Sequence, residues 1–267
     1  MMIRWLETVA RRVAAPVVAS LVLLIAGSPA FAADLRVAVA ANFGAPAQQL
    51  AEAFEAETGT RVAISTGSSG ALFAQITQGA PFAILLSADE ARPKALVDQG
   101  FAVKGSQFTY ALGRLVLWSP DAELIDSSPA ILETDRFSHL AIANPQTAPY
   151  GAAAMEVLGA LGLEEELAVR IVTGESIAQA FGFVQSGNAE LGFIASSQLA
   201  TAGGGSIWIV PEELHAPIRQ DAVLLEAGND DAKAFLDFLR SSKGREIVAQ
   251  FGYGLVETTQ PAPSIYG

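Results

Sequence analysis

Residues 35–59 read LRVAVAANFGAPAQQLAEAFEAETG. Residues 35–41 form a short apolar run of strand character. Asn42 interrupts it, and Ala47, Leu50, Ala51 and Phe54 then recur on one helical face until Gly59 stops the helix. Strand, polar turn and amphipathic helix make up the βα unit of layered α/β proteins, and the remainder of the chain repeats it.

Working toward the C-terminus, residues 61–65 read as the second strand. Leu72, Phe73 and Ile76 mark a second helix ending at Gly79, and residues 83–86 form an apolar strand before a helix that stops at Gly100. Residues 108–118 are a long β-like stretch, read as the passage into a second lobe. There, residues 139–143, 170–173, 190–194 and 207–210 are strands. Residues 151–161 form a helix, and Ile177, Ala180, Phe181 and Val184 make an i, i+3, i+4, i+7 stripe. Residues 222–225 return the chain to the first lobe, where 232–239 and 245–251 are terminal helices. The expectation is two α/β lobes, 33–115 with 222–267 and 116–221. Ligands of such open sheets bind in the cleft beyond the strand C-termini.

Working toward the N-terminus, Arg4, Arg11 and Arg12 precede an apolar run over 14–26, and Ala30-Phe31-Ala32 offers a small-x-small cleavage site. This order predicts a cleavable secretory signal peptide over 1–32. About 13 apolar residues cannot cross a hydrocarbon core that needs roughly 20. The chain has no cysteine, so it can carry no disulfide, thiolate metal ligand, thiol nucleophile or lipid-bearing cysteine. The expected mature protein is periplasmic, not lipid-anchored, and monomeric. Beyond residue 32 the chain carries 13 Lys/Arg against 27 Asp/Glu, a net −14 that disfavours nucleic acid and anionic lipid as partners. Any anion must therefore be held by local geometry.

Four βα junctions offer that geometry: Ala40-Ala41-Asn42-Phe43, Thr66-Gly67-Ser68-Ser69-Gly70, Ala148-Pro149-Tyr150-Gly151 and Thr173-Gly174-Glu175-Ser176-Ile177. Each puts the free N–H groups of a helix start at the end of a strand, which makes an anion site without Lys or Arg. Plainer readings compete. Asn42 and Ser69 suit helix caps, Tyr150 suits packing, and Ile177 can offer only its N–H because its side chain belongs to the apolar stripe. A serine hydrolase using Ser69 is the alternative from another class. Gly67-Ser68-Ser69-Gly70-Ala71 misses a nucleophile elbow by its last glycine, and neither His139 nor His215 has a triad context. Asp89 is expected to cap the third helix, and Arg92 and Arg219 to make ion pairs.

Taken in order, Val37-Ala38-Val39-Ala40-Ala41-Asn42-Phe43, Gly67-Ser68-Ser69-Gly70, Gly79-Ala80-Pro81-Phe82, Leu86-Ser87-Ala88-Asp89, Gly113-Arg114-Leu115-Val116-Leu117-Trp118, Ala143-Asn144-Pro145, Gly187-Asn188-Ala189-Glu190-Leu191-Gly192-Phe193 and Phe251-Gly252-Tyr253-Gly254 resemble the periplasmic molybdate-binding proteins of ABC transporters. The resemblance implies a type II periplasmic-binding-protein fold, two α/β lobes closing on a ligand cleft. It implies capture of molybdate or tungstate for a membrane permease, with no cofactor and no catalysis. Carried over, Asn42, Ser69, Tyr150 and Ile177 match the ligand-binding positions and hold the metal through its oxygens. Ala41 stands where some relatives have a hydroxyl, so only its backbone can donate. Ala195 stands where some relatives offer a tyrosine. Sulfate or another oxyanion is the alternative cargo.

Overall fold

The computed structural model describes residues 34–256, so the predicted signal peptide lies outside the described residues. Two five-stranded sheets form the core of this region. In the first, β1 (Leu35–Ala40) pairs in parallel with β2 (Val62–Gly67) and β3 (Ile84–Leu86). The return strand β10 (Ile218–Leu224) lies antiparallel between β3 and β4 (Phe108–Gly113). In the second, β6 (Leu140–Ala143) pairs in parallel with β7 (Ile171–Gly174) and β8 (Leu191–Ala195). There β5 (Leu115–Ser119) lies antiparallel between β8 and β9 (Ser206–Ile209).

The sheet orders, β2-β1-β3-β10-β4 and β7-β6-β8-β5-β9, are the same pattern drawn twice. No repeat is visible in the sequence because the recurrence concerns strand order and direction, which many apolar sequences satisfy. In each sheet the antiparallel inner strand is laid down as the chain crosses over from the other sheet. The stretch expected as one long strand is broken at Arg114, which separates β4 from β5 and sends them into different sheets. The return likewise begins at Ile218, so residues 218–221, assigned from sequence to the second lobe, lie on the first sheet. The sequence cue for the return was the apolar run from Ala222. The polar residues Arg219, Gln220 and Asp221 hid the start of the strand.

The helices follow from the pattern already read. α1 (Gly44–Thr58) buries Ala47, Leu50, Ala51 and Phe54 and ends at Gly59, whose φ of 77° takes the left-handed turn that glycine adopts without penalty. Phe54 meets Phe235 of α7 (Asp230–Arg240) edge-to-face at 5.3 Å. On the other face of the first sheet, Ala38 and Leu85 pack with Leu72 and Ile76 of α2 (Ser69–Thr77) and Leu96 of α3 (Ala91–Asp98). Because both faces are covered, β3 is apolar throughout and β1 is apolar and buried apart from Arg36 near its start. In the second sheet, α4 (Pro149–Leu161) packs its Ala154, Val157 and Leu158 with Phe193 of β8, while Val184 of α6 (Ile177–Gln185) packs with Ile194 and Trp118 on the opposite face. Short elements escaped the periodicity, α5 (Glu164–Leu167) and 3-10 turns at Pro129–Glu133, Ser196–Thr201 and Glu212–Leu214 among them, since one or two turns leave no recurrence to detect.

Candidate functional site

The N-termini of α2, α4 and α6 and a 3-10 turn at Ala41–Phe43 meet between the two sheets. They line a small cavity, bounded by Ala41, Asn42, Ser69, Tyr150 and Ile177 together with short backbone segments around them. Two of the four helix starts come from each half of the molecule, and no Lys, Arg, His, Asp or Glu is among the lining residues. Glu175, the one carboxylate within the four junctions, is exposed and outside the lining.

Neither of the two residues whose plainer reading was a helix cap serves as one. Ser68 caps α2, its Oγ accepting from Ala71 N–H at 3.4 Å, and Ser69 is the first helical residue. The Ser69 hydroxyl instead accepts from Ala88 N–H at 3.0 Å and is 1% exposed. Asn42 lies inside the 3-10 turn rather than at its cap. Its side-chain amide spends both protons away from the cavity, on Gln220 Oε1 and Tyr253 Oη, each at 2.9 Å. What Asn42 offers the cavity is therefore its backbone N–H.

Counting backbone donors sharpens the picture. At α2, Gly70 N–H goes to Thr147 O and Ala71 N–H to Ser68 Oγ. At α4, Pro149 has no N–H, and those of Gly151 and Ala152 go to Ala148 O. At α6, Gln179 and Ala180 donate to Ser176. Among the described residues, the N–H groups of Asn42, Ser69, Tyr150 and Ile177 have no protein partner, and these are the residues at the cavity wall. Helix starts leave such donors open and carry the positive end of the helix dipole.

Under the cavity lies a polar network that sequence reading missed. Tyr253 Oη donates to Asn42 O at 2.7 Å and sits 3.1 Å from Ser197 Oγ, while Ser197 Oγ also donates to Asn42 O at 2.9 Å. Gln220 Nε2 donates to Tyr150 Oη at 3.1 Å, and Tyr110 Oη donates to Gln220 Oε1 at 3.1 Å. Gln220 is fully buried, and the network joins Tyr110 and Gln220 of the first sheet to Tyr150 of α4 and to Ser197, just past β8. Burial pushes the Tyr253 hydroxyl up to about 12, and desolvation raises Tyr110 and Tyr150 well above the usual tyrosine value. All three stay neutral at physiological pH. No sequence signal marked this network, since Gln220 is flanked by Arg219 and Asp221 and reads as one of three polar residues rather than as a buried one.

The charged candidates lie outside the cavity. Asp89 accepts from Arg92 N–H at 2.9 Å, the expected capping bond, and also pairs with the Arg92 guanidinium. Arg92 Nη2 reaches Gln146 O at 3.0 Å across to the other half. Arg219 pairs with Glu90 at 2.9 Å and with Thr109 Oγ1 at 3.0 Å. Ala195 is fully buried on β8, its N–H bonded to Gln198 Oε1.

Residues 35–254 match the family described as bacterial extracellular solute-binding protein. The molybdate-binding protein of Rhodobacter capsulatus is 52% identical, the match covering 84% of this chain and 90% of that one. The molybdate-binding protein of Azotobacter vinelandii is 51% identical over 84% of this chain and 91% of its own. The solved structure of an Azotobacter vinelandii periplasmic molybdate-binding protein superposes with a TM-score of 0.81 at 42% identity, covering 84% of this chain and 100% of that one.

Proposed function

Because this chain belongs to the bacterial extracellular solute-binding proteins, we propose that it captures molybdate and delivers it to the membrane permease of an ABC transporter. The observation that carries this reading is the cavity of unpaired neutral donors, closed by helix starts from both sheets. Four oxygens of a tetrahedral dianion accept the N–H groups of Asn42, Ser69, Tyr150 and Ile177. The Ser69 O–H adds a fifth donor, its lone pair already occupied by Ala88 N–H. Ala41 contributes backbone alone. The metal is cargo, held through its oxygens, and no side chain coordinates it.

The chemistry of the donor set selects the ligand class. A protonated oxyanion such as hydrogen phosphate gains from an acceptor in the wall, and no carboxylate lines this cavity. Molybdate, tungstate and sulfate are fully ionised at neutral pH and suit donors only. Size separates them: molybdate and tungstate are nearly equal and larger than sulfate. Relatives that are 51–52% identical and named for molybdate favour it over sulfate. The protein works as a periplasmic monomer after removal of residues 1–32. The hydrolase alternative has little support, since Ser69 Oγ sits on Ala88 N–H and no histidine lines the cavity.

Calorimetry of the mature chain with molybdate, tungstate, sulfate and phosphate tests the assignment. Tight binding of the first two and weak or absent binding of phosphate is expected. Preference for phosphate, or no heat with any of the four, would overturn it.

A further inference from the structure

Gly70 is the second residue of α2, with an ordinary right-handed helical backbone. Alanine is the better helix former at such a position, so local structure does not call for glycine. The reason lies in the other half of the molecule. Gly70 N–H donates to Thr147 O at 2.8 Å. A β-carbon on residue 70 would lie 2.9 Å from Thr147 Cα, 3.0 Å from its carbonyl oxygen and 3.1 Å from its Cβ. Two of these atoms are backbone and the third is a branch point, so no side-chain rotation relieves the contact.

The loop bearing Thr147 is itself braced. Asn144 O accepts from Thr147 N–H at 3.2 Å and Ala148 N–H at 2.8 Å, and Asn144 Oδ1 accepts from Gln146 N–H at 3.0 Å. Gly70 directly follows Ser69, and Thr147 directly precedes Ala148, another wall residue of the cavity. The contact therefore gauges the distance between the two halves of the donor cradle at its rim. Arg92 reaches the neighbouring Gln146 O, but through a long side chain that tolerates a range of separations.

We propose that the backbone contact between Gly70 and Thr147 is the stop that sets how far the two halves close, and through that distance the oxyanion size the cavity accepts. The size statement rests on the oxyanion reading above; the stop itself does not. Hydrogen bonds weaken over a few tenths of an ångström beyond their normal length, so a displaced stop loosens bonds from one half of the cradle to oxygens held by the other.

The test is Gly70→Ala in the mature chain, with Gly70→Val as a larger wedge. The natural chain has no cysteine, so spin labels attach uniquely at Lys94→Cys and Glu164→Cys, both exposed and on opposite halves. In molybdate, the label distance should lengthen from glycine to alanine to valine. Calorimetry should show molybdate affinity falling by about tenfold or more in Gly70→Ala, the loss of one charge-assisted bond, with sulfate losing more. The ligand-free melting temperature should not drop, because alanine suits the helix. Unchanged distances and affinities across the series would overturn the stop. A parent binding neither oxyanion, with the distance still lengthening in the variants, would remove the oxyanion reading and leave the stop in place.

Discussion

The Ala88 amide, in the turn after β3, donates to Ser69 Oγ at 3.0 Å. With one lone pair of that hydroxyl engaged, its proton remains free to donate into the cavity that both residues line. In the proposed cradle a backbone group thus supports the one side-chain donor. Ser69→Ala should weaken molybdate binding by roughly 10- to 150-fold, the worth of a charge-assisted hydrogen bond of about 1.5–3 kcal/mol. Arg92→Ala loses one cross-cleft bond and its pairing with Asp89, and Arg219→Ala a half-exposed ion pair; none of these lies in the cavity, so each should cost molybdate binding only about 1 kcal/mol or less. Titration calorimetry on the three variants checks the order, and an arginine variant losing more than Ser69→Ala would refute the neutral-donor mechanism.

Asn42→Asp tests the network rather than the cradle. The amide of Asn42 donates to Gln220 Oε1 and Tyr253 Oη, and a carboxylate can donate to neither. It would also bring a buried negative charge beside an anion cavity. Stability should fall by about 1–3 kcal/mol for the unpaired buried groups, and molybdate affinity should fall as well. Denaturant titration with and without molybdate reads both. A variant as stable as the parent would show that Gln220 and Tyr253 do not depend on that amide.

The pH dependence has a definite sign. The Tyr253 hydroxyl titrates at about 12 in the folded chain and near 10 when unfolded, because burial disfavours its charged form. A folded value above the unfolded one means the contribution is complete below pH 10 and is lost as pH rises toward 12. Its size is about 2–3 kcal/mol for a shift of that extent. Unfolding titrations between pH 9 and 12 should show this loss, reduced in Tyr253→Phe. Molybdate affinity, in contrast, should stay nearly flat from about pH 6 to 8, since no residue lining the cavity titrates there. An affinity step within that range would point to a titrating group that the cradle does not contain.

Ligand should also stabilise the fold as a whole. Molybdate bound to the closed chain alone should add about 2.7 kcal/mol at 100 times its dissociation constant. Thermal melts over a molybdate series should rise with the logarithm of concentration. A melting temperature indifferent to saturating molybdate would contradict capture between the two halves.

Much of the site was legible because helix starts announce themselves locally. Gly67-Ser68-Ser69-Gly70 after a strand, or Pro149 opening a helix, shows where open N–H groups must lie, whatever the rest of the chain does. Which serine caps the helix was not legible, since Ser68 and Ser69 are chemically identical and both line the cavity. The distinction rests on Ala88, which follows β3, itself paired with β1, and gives its N–H to Ser69. The break at Arg114 was equally hidden, because an apolar stretch from Phe108 to Trp118 suits one strand as well as two.

The sequence by itself determined the βα units, their apolar faces and the four helix starts, since these follow from periodicity and turn chemistry within a dozen residues. The net negative charge implied, too, that any anion must be held by local geometry. Only the tertiary structure decided that Asn42 gives its side chain to Gln220 and Tyr253, 178 and 211 residues away, and keeps only its N–H for the cavity. The tertiary structure alone likewise set Gly70 against Thr147. Hydrogen-bond assignment and steric limits depend on which partners arrive, and the partners here come from a crossing strand (Gln220), a C-terminal segment (Tyr253) and a loop of the other half (Thr147), all distant in sequence.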